Sequence, residues 1–523
     1  MTAQKVLIDG AWVESQGRET FQALNPQTGQ SLPDAYPVSP WSEIERALNA
    51  ASAAAWRVRG WGGERFAAFL EAFAARLEKR AEELVAVAHA ETALPSEPRL
   101  KSVELPRTVN QLRQAAAAAR DGSWAHATID TKANIRSMYA PIGPVAVFGP
   151  NNFPFAFNGA AGGDFAAAVA AGNPVIAKGH TSHPGTSRLL AEQAHEAALE
   201  TDLPAGFIQL IYRTSHADGE RFVSHPLIGA TGYTGSRSAG LRLKEVADRA
   251  GKPIYLELSS INPIFVLPGV LEERLDDVAQ EFTTSCLAGT GQFCTNPGLV
   301  ALVAGETTEK FLAAVQQRFT QAPAGTLLGE GVRRSLDQSV QALQKAGARV
   351  VTGGDVASGP SVCYQNTLLR VDGETFLARA EELQTEAFGN ESLVVVAKNA
   401  EQLSQIAARL EGNLTGCIYS HRNGADDALY DRVAPVLRAR VGRLLNDKMP
   451  TGVAVSPAMN HGGPFPATGH PGFTAVGIPA SIHRFAVLEC YDNVRPHRLP
   501  AALRDANPSG RMWRLVDGTW SQS

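Results

Sequence analysis

A cysteine, a glutamate and an asparagine occur in this 523-residue chain in settings that would let them act together on a carbonyl carbon. Cys294 lies in Gly291-Gln292-Phe293-Cys294-Thr295-Asn296-Pro297-Gly298. The glycines and the proline put it on a loop, whereas Ser285-Cys286-Leu287 reads as helix interior. A single cysteine is more often a core residue than a nucleophile, so the loop setting is what distinguishes Cys294. Glu257, in Tyr255-Leu256-Glu257-Leu258, sets a carboxylate among apolar side chains, where loss of water favours uptake of a proton. Asn152, in Pro150-Asn151-Asn152-Phe153-Pro154, offers a side-chain amide. A thiolate adds reversibly to an aldehyde, and the thiohemiacetal can release hydride to leave a thioester. A nearby carboxylate can take the thiol proton or activate the water that hydrolyses the thioester. Taken by itself, the amide of Asn152 could cap the turn before Pro154 or donate to an oxyanion.

Such a set needs a scaffold. Residues 41–90 read as two amphipathic helices, with Phe66, Leu70, Phe73 and Leu77 at helical spacing, and alanine-rich 108–120 reads as a third. Apolar runs at 145–148, 174–178, 207–211 and 228–234 read as strands, with 160–171 and 187–199 helical between them. Strands alternating with helices predict an open parallel sheet covered on both faces. A second series runs from about 254 to 450, with strands at 265–267, 299–303 and 393–396. The predicted fold class is therefore α/β, two units with a cleft between them, as expected for a chain too long for one core.

Composition narrows the function classes. Hydrophobic residues make up 44%, charged residues 19%, and the net charge is −4. That balance gives no basic field for nucleic acid. The apolar stretch at 141–177 is broken by Asn151, Asn152 and Asp164, so it reads as core rather than membrane span. Residues 1–20 carry Lys5, Asp9, Glu14, Arg18 and Glu19 and no secretory pattern. Five scattered cysteines make no disulfide framework and point to the cytoplasm. Neither CxxC nor HExxH occurs, so no metal is expected. No Gly-x-Gly-x-x-Gly follows a strand. Instead Gly235 and Gly240, in Gly235-Ser236-Arg237-Ser238-Ala239-Gly240, bracket a strand-to-helix turn whose amides favour an anionic pyrophosphate.

These segments, in this order, resemble the aldehyde dehydrogenase superfamily. Leu256–Ser259 and Gly291–Thr295 are similar to its two signature segments. Asn152-Phe153-Pro154 is similar to its Trp-Asn-Phe-Pro, Tyr233–Ser236 to its Phe-Thr-Gly-Ser, and Glu386-Ala387-Phe388-Gly389 to its Glu-x-Phe-Gly. The resemblance implies two Rossmann-like α/β domains, the cofactor-binding one from 1–120 and 142–255 and the catalytic one from 256–455. It implies a small β bridging element from 121–141 and 475–500 that joins subunits into a homodimer or homotetramer, with 501–523 as a tail. It assigns Cys294 as nucleophile, Glu257 as base and Asn152 as oxyanion donor. Lys178 would contact the adenosine ribose, Glu386 the nicotinamide ribose, and Phe388 would pack beside the ring. After Glu-Leu the usual Gly-Gly-Lys is replaced by Ser259-Ser260-Ile261.

Relatives that prefer NAD carry a glutamate three residues after the lysine; here that position is Thr181. Without the carboxylate a 2′-phosphate is tolerated, and Thr181, Ser182 and Arg213 would favour it, so NADP is expected, with NAD as the alternative. Residues 178–187 resemble the NADP-linked branch that includes α-ketoglutaric semialdehyde (2,5-dioxopentanoate) dehydrogenases and bacterial fatty-aldehyde dehydrogenases. Residues 291–298 and Tyr491-Asp492-Asn493-Val494 resemble the semialdehyde group, implying oxidation of α-ketoglutaric semialdehyde to 2-oxoglutarate. A long-chain aldehyde is the alternative substrate, because Phe153, Phe157 and Phe293 would give an apolar channel wall. Transfer of the acyl group to coenzyme A or phosphate is disfavoured by Glu257, which supplies a base for water. A non-catalytic cofactor-binding protein is the alternative of another class, against which the retained Cys294, Glu257 and Asn152 speak. No residue stands out as an anchor for a distal carboxylate. His461, before Gly462-Gly463, reads as part of a surface loop at the substrate mouth.

Overall fold

The computed structural model describes residues 3–359 and 361–522; residues 1–2 and 523, at the ends of the expected first and last segments, lie outside the described residues. Val145–Phe148, Val175–Lys178 and Ile208–Ile211 are short apolar runs, nearly all buried, as in strands covered on both faces. With Ala230–Thr234 and Ile254–Glu257 they form the parallel part of one sheet. The order runs from Ile254–Glu257 through Ala230–Thr234, Val145–Phe148 and Val175–Lys178 to Ile208–Ile211, and Val6–Ile8 and Ala11–Val13 close the far edge antiparallel. The strand carrying Glu257 thus belongs to the first sheet, so the boundary expected after residue 255 moves beyond Glu257: Leu256 and Glu257 pair with Tyr233 and Thr234.

A second sheet, ordered Arg349–Thr352, Thr367–Asp372, Glu391–Ala397, Leu299–Val303, Ile264–Val266, Asn413–Tyr419 and Val441–Asn446, is parallel except at its first strand. Alternation along its strands separates two cores: Phe265, Leu299 and Ala301 face one, Ile264, Val266 and Val300 the other.

The region read as two helices holds three, Trp41–Val58, Gly63–Lys79 and Ala81–Thr92. Gly60, at φ +84°, breaks the chain after the first, and Arg80 alone separates the others. The apolar spacing continues across Arg80, which is why periodicity merges them. The helix expected from 160 starts at Gly163, because Asn158 holds the preceding turn by accepting from the Ala160 N–H at 3.0 Å.

Ala486–Asp492, Ile135–Pro141 and Thr128–Asp130 form a third sheet, into which residues expected as a tail are built: Arg514–Val516 pairs with Thr128–Asp130, and Thr519–Ser521 extends it. Arg514 secures this junction from inside, donating to the carbonyls of Arg504 at 2.6 Å and Asp505 at 2.9 Å. Three-residue strands carry no period to read. Among the described residues no helix is long and apolar enough to cross a membrane. The irregular stretch after Asn446 folds back over the strand ends of the first sheet, where Leu258 donates to Ala467 at 2.8 Å and Glu257 bridges to Thr468.

Candidate active site

In a parallel sheet the carboxyl ends of the strands leave the crevice where ligands bind. Here those ends carry, side by side, Glu257 opposite Thr234, Tyr233 opposite Phe148, and Phe148 opposite Lys178. Three strand spacings put Lys178 about 14 Å from Glu257, the scale of an extended dinucleotide.

The reacting centre forms where this edge meets the loop after Pro268–Leu287. Glu257 is buried, and its Oε1 lies 3.0 Å from His461 Nε2. The same nitrogen lies 3.4 Å from the Sγ of Cys294. The second carboxylate oxygen of Glu257 is buried without a hydrogen-bond partner. Burial, then the charge of Glu257, holds the Cys294 thiol well above its ordinary pKa. His461, expected on a surface loop, is 1% exposed, because its backbone N–H is tied to Thr474 Oγ1 at 2.9 Å and its carbonyl accepts from Ala475. The Gly462-Gly463 pair that follows packs backbone against backbone: a Cβ at Gly462 would sit 2.0 Å from the Phe473 carbonyl oxygen.

Asn152 reaches the nucleophile loop, its amide nitrogen donating to the Gln292 carbonyl at 2.9 Å. The N–H of Cys294 donates to no acceptor among the described residues. Asn152 is thus tied to the loop that carries the sulfur, two residues before it. The Asn152 loop is fixed from behind by the irregular helical turn Ser96–Glu104. Glu104 accepts from the N–H groups of Phe155 at 2.9 Å and Ala156 at 3.0 Å and pairs with Arg99, which donates to the Asn152 carbonyl at 3.0 Å. The Ser-Ser departure also has a role. Ser260 Oγ contacts Asn262 Oδ1 at 2.9 Å, and Asn262 Nδ2 donates to the carbonyls of Cys294 and Asn296 at 2.9 Å each. The serine couples the glutamate segment to the nucleophile loop.

Phe153, Phe157 and Phe293 pack edge to face into one apolar wall, with centroids 5.2 and 5.5 Å apart. Arg107 stands in that wall, 5.3 Å from the Phe157 ring centroid and 5.6 Å from that of Phe153. Its Nε donates to Gln111 at 3.2 Å, its Nη2 is buried without a partner, and no carboxylate pairs with it among the described residues. Burial lowers its pKa, and its charge acts on Cys294. Arg443, on Val441–Asn446, is a second cation near the sulfur without an acid partner among the described residues; it donates to the Pro450 carbonyl at 3.1 Å. Nothing in the sequence singles out these two arginines.

At the far end, Lys178 has no ion pair among the described residues, and burial with the nearby charge of Arg213 pushes its pKa down to about 8. An unpaired, largely buried cation fits a ligand rich in hydroxyl and phosphate oxygens. Arg213 itself is exposed, and Thr181 and Ser182, on the loop after Lys178, are half-buried. The Gly235-Ser236 turn leads into Arg237–Arg249, but the Gly235 N–H is committed to the Glu257 carbonyl at 3.1 Å. Gly240 lets that helix approach the sheet: a Cβ there would lie 2.5 Å from Leu258 Cδ2. Between the two sheets a cavity of about 200 Å³ is lined by Arg237, Ser259, Ser260 and Glu386, among others. Burial raises the pKa of Glu386 to about 7, and its Oε1 accepts from the Ser260 N–H at 3.3 Å. Phe388 lines a smaller recess beside it with Phe293 and Gly291. Gly291, at φ +67°, is pressed so closely on Gly389 that a Cβ would fall 1.9 Å from its carbonyl oxygen. Glu386 and the helix start at Arg237 thus line one cavity, and Lys178 stands three strands from Glu257 along the same sheet edge.

Comparison with known proteins agrees with this geometry. The sequence pattern of the Aldehyde dehydrogenase family matches residues 12–457. The chain is 38% identical to alpha-ketoglutaric semialdehyde dehydrogenase 2 of Azospirillum brasilense, over 98% of both chains. It is 34% identical to the alpha-ketoglutaric semialdehyde dehydrogenase of Acinetobacter baylyi, over 99% of both. Its fold is similar to that of 1-pyrroline-5-carboxylate dehydrogenase from Thermus, solved with bound NAD, with a TM-score of 0.81 at 23% identity, covering 94% of this chain and 92% of that one.

Proposed function

The chain belongs to the aldehyde dehydrogenase family of NAD(P)-dependent enzymes, and we propose that it oxidises α-ketoglutaric semialdehyde to 2-oxoglutarate with NADP. Family membership sets aside the non-catalytic alternative. The observation that carries the substrate reading is Arg107, a half-buried arginine beside Phe153 and Phe157 whose Nη2 is buried without a partner and which has no acid partner among the described residues. Leaving a buried charge uncompensated costs several kcal/mol, a cost that a fatty aldehyde would not offset and a distal carboxylate would. The names of the two bacterial relatives agree with this reading.

In the proposed mechanism His461 accepts the thiol proton at Nε2 and passes it from the same nitrogen to Glu257. One ring nitrogen holds only one hydrogen, so contact with both partners suits a transfer in sequence. The Cys294 sulfur then bonds to the aldehyde carbon, and the oxyanion rests between Asn152 Nδ2 and the Cys294 N–H. A dinucleotide held by Lys178, the start of Arg237–Arg249, Glu386 and Phe388 would supply the hydride acceptor. Glu257 then loses that proton to solvent, takes one from the water that cleaves the thioester, and returns it through His461 to the departing sulfur, releasing the acid and restoring the thiol.

Formation of reduced cofactor with α-ketoglutaric semialdehyde, succinic semialdehyde and a long-chain aldehyde tests the substrate. Preference for α-ketoglutaric semialdehyde supports it, and turnover restricted to the long-chain aldehyde overturns it. For the cofactor, Thr181→Glu is expected to lower kcat/KM for NADP about 100-fold by opposing a 2′-phosphate with a carboxylate, with NAD turnover kept. Equal loss with both cofactors would remove Thr181 from the 2′ site.

His461→Asn is expected to slow alkylation of Cys294 by iodoacetamide about 100-fold at neutral pH. Because the thiol pKa is raised, the sulfur stays protonated there without an acceptor, and the rate should recover as pH rises. An unchanged rate across pH would mean that the proton leaves without the imidazole.

A further inference from the structure

Thiol, imidazole and carboxylate meet at one point in this enzyme although they lie far apart in sequence. The Sγ of Cys294, Nε2 of His461 and a carboxylate oxygen of Glu257 all lie within 4.8 Å of one another. We propose that these three residues also form a site for a thiophilic divalent cation of the zinc class, which caps the nucleophile and reversibly arrests the enzyme.

The argument rests on donor type, spacing and vacancy of bonding capacity. Tetrahedral zinc takes one sulfur, one imidazole nitrogen and one carboxylate oxygen readily, with an open fourth position for water. Bond lengths of that class place S and N about 3.6 Å apart and N and O about 3.3 Å apart. The observed separations are 3.4 Å for Sγ to Nε2 and 3.0 Å for Nε2 to Oε1, within a few tenths of an ångström of those values. The sulfur and the carboxylate oxygen, within 4.8 Å of each other, close to about 3.6 Å by side-chain rotation. The second oxygen of Glu257 is buried and unpartnered, which leaves a lone pair inside the site with nothing to accept. The surrounding charge is mixed: Glu386 favours a cation beside Cys294, and Arg107 and Arg443 oppose one. The softness of the thiolate decides for zinc, cadmium or cobalt over magnesium or calcium, which prefer all-oxygen sites.

Binding is a ligand exchange with no redox step. The sulfur–hydrogen bond breaks and a sulfur–metal bond forms, with the proton going to solvent. The imidazole nitrogen and the carboxylate donate existing lone pairs, and water leaves the cation. The sulfur cannot then attack an aldehyde, and a chelator reverses the state. The site does not depend on which aldehyde is the substrate.

Titration of the purified enzyme with zinc chloride against a chromophoric chelator, in buffer free of thiols, tests this. One equivalent per chain is expected, with loss of aldehyde turnover and protection of Cys294 from iodoacetamide in step with occupancy. Cobalt in place of zinc is expected to give a near-ultraviolet thiolate-to-metal charge-transfer band. Cys294→Ala should abolish the band, and His461→Gln and Glu257→Gln should each abolish stoichiometric binding. Circular dichroism and dinucleotide binding identify any variant that fails to fold. Cys490→Ser, at the exposed cysteine, should leave binding intact. Binding that survives both Cys294→Ala and His461→Gln, or that is lost in Cys490→Ser, places the metal elsewhere and overturns the proposal, as does the absence of stoichiometric binding to the unaltered enzyme.

Discussion

Cys294→Ala is expected to abolish aldehyde oxidation, lowering kcat by at least about 10⁴-fold, while dinucleotide binding and the folded state persist. The prediction separates chemistry from scaffold because the loop does not depend on the sulfur for its shape. Asn262 holds the Cys294 carbonyl, Asn152 holds the Gln292 carbonyl, and the Gln292 side chain accepts from the Leu328 N–H at 2.8 Å. Alanine keeps the backbone that makes all of these bonds. The variant removes only the atom to which the carbonyl carbon must bond, and no second thiol is near: Cys286 is buried with its sulfur directed at the Glu391 carbonyl, 3.6 Å away. Single-turnover measurement of reduced cofactor at high enzyme concentration checks the result. A residual burst of one equivalent would show that the hydride leaves an aldehyde hydrate and that the covalent route is wrong.

The second large effect concerns Arg107. Arg107→Met keeps the length of the side chain and removes its charge. Truncating one partner of a buried charge pair costs about 2–5 kcal/mol, so kcat/KM for α-ketoglutaric semialdehyde is expected to fall about 30- to 4,000-fold. The loss should appear mainly in KM, because the distal carboxylate is bound equally in ground and transition states. An uncharged aliphatic aldehyde of similar length should be oxidised as well as before or better. Stability supplies a second readout. The guanidinium has no acid partner among the described residues, so an apolar side chain in its place should leave the melting temperature unchanged or raise it. Arg99 is the contrast: it is paired with Glu104 and tied to Asn152, and its removal should destabilise the chain. If Arg107→Met lowers kcat/KM for charged and uncharged aldehydes alike, the arginine shapes the pocket and does not select the carboxylate.

That contrast shows where sequence reading stops. Cys294, Glu257 and Asn152 announce themselves locally, through loop glycines, an acid at the end of an apolar strand, and a proline-bounded turn. The strands of both sheets are legible for the same reason, since each is a short apolar run with punctuation at its ends. Arg107 lies in a helix with other arginines, and Glu104, one turn earlier, looks like its partner. In the fold Glu104 is taken by Arg99 and by two backbone amides, and that competition is decided by tertiary contact. His461 is hidden differently: a histidine before two glycines looks like loop, and only the backbone approach of Gly462 to Phe473 shows that the loop turns inward. The break at Arg80 and the strands beyond residue 501 escaped because neither interrupts nor creates a period.

The contact between Gly291 and Gly389 bears on how this enzyme can diversify. The segment bearing the thiol and the segment bearing Glu386 and Phe388 abut main chain to main chain, with no side chain between them. Their separation is a fixed gauge, indifferent to which residues line the aldehyde tunnel. On the proposed assignment, the wall residues Phe153, Phe157 and Arg107 can therefore be exchanged over evolutionary time to admit new aldehydes without retuning the alignment of the thiol with the segment of Glu386 and Phe388. By the same logic Gly291 admits no drift, because any Cβ there would force the jaws of that gauge apart.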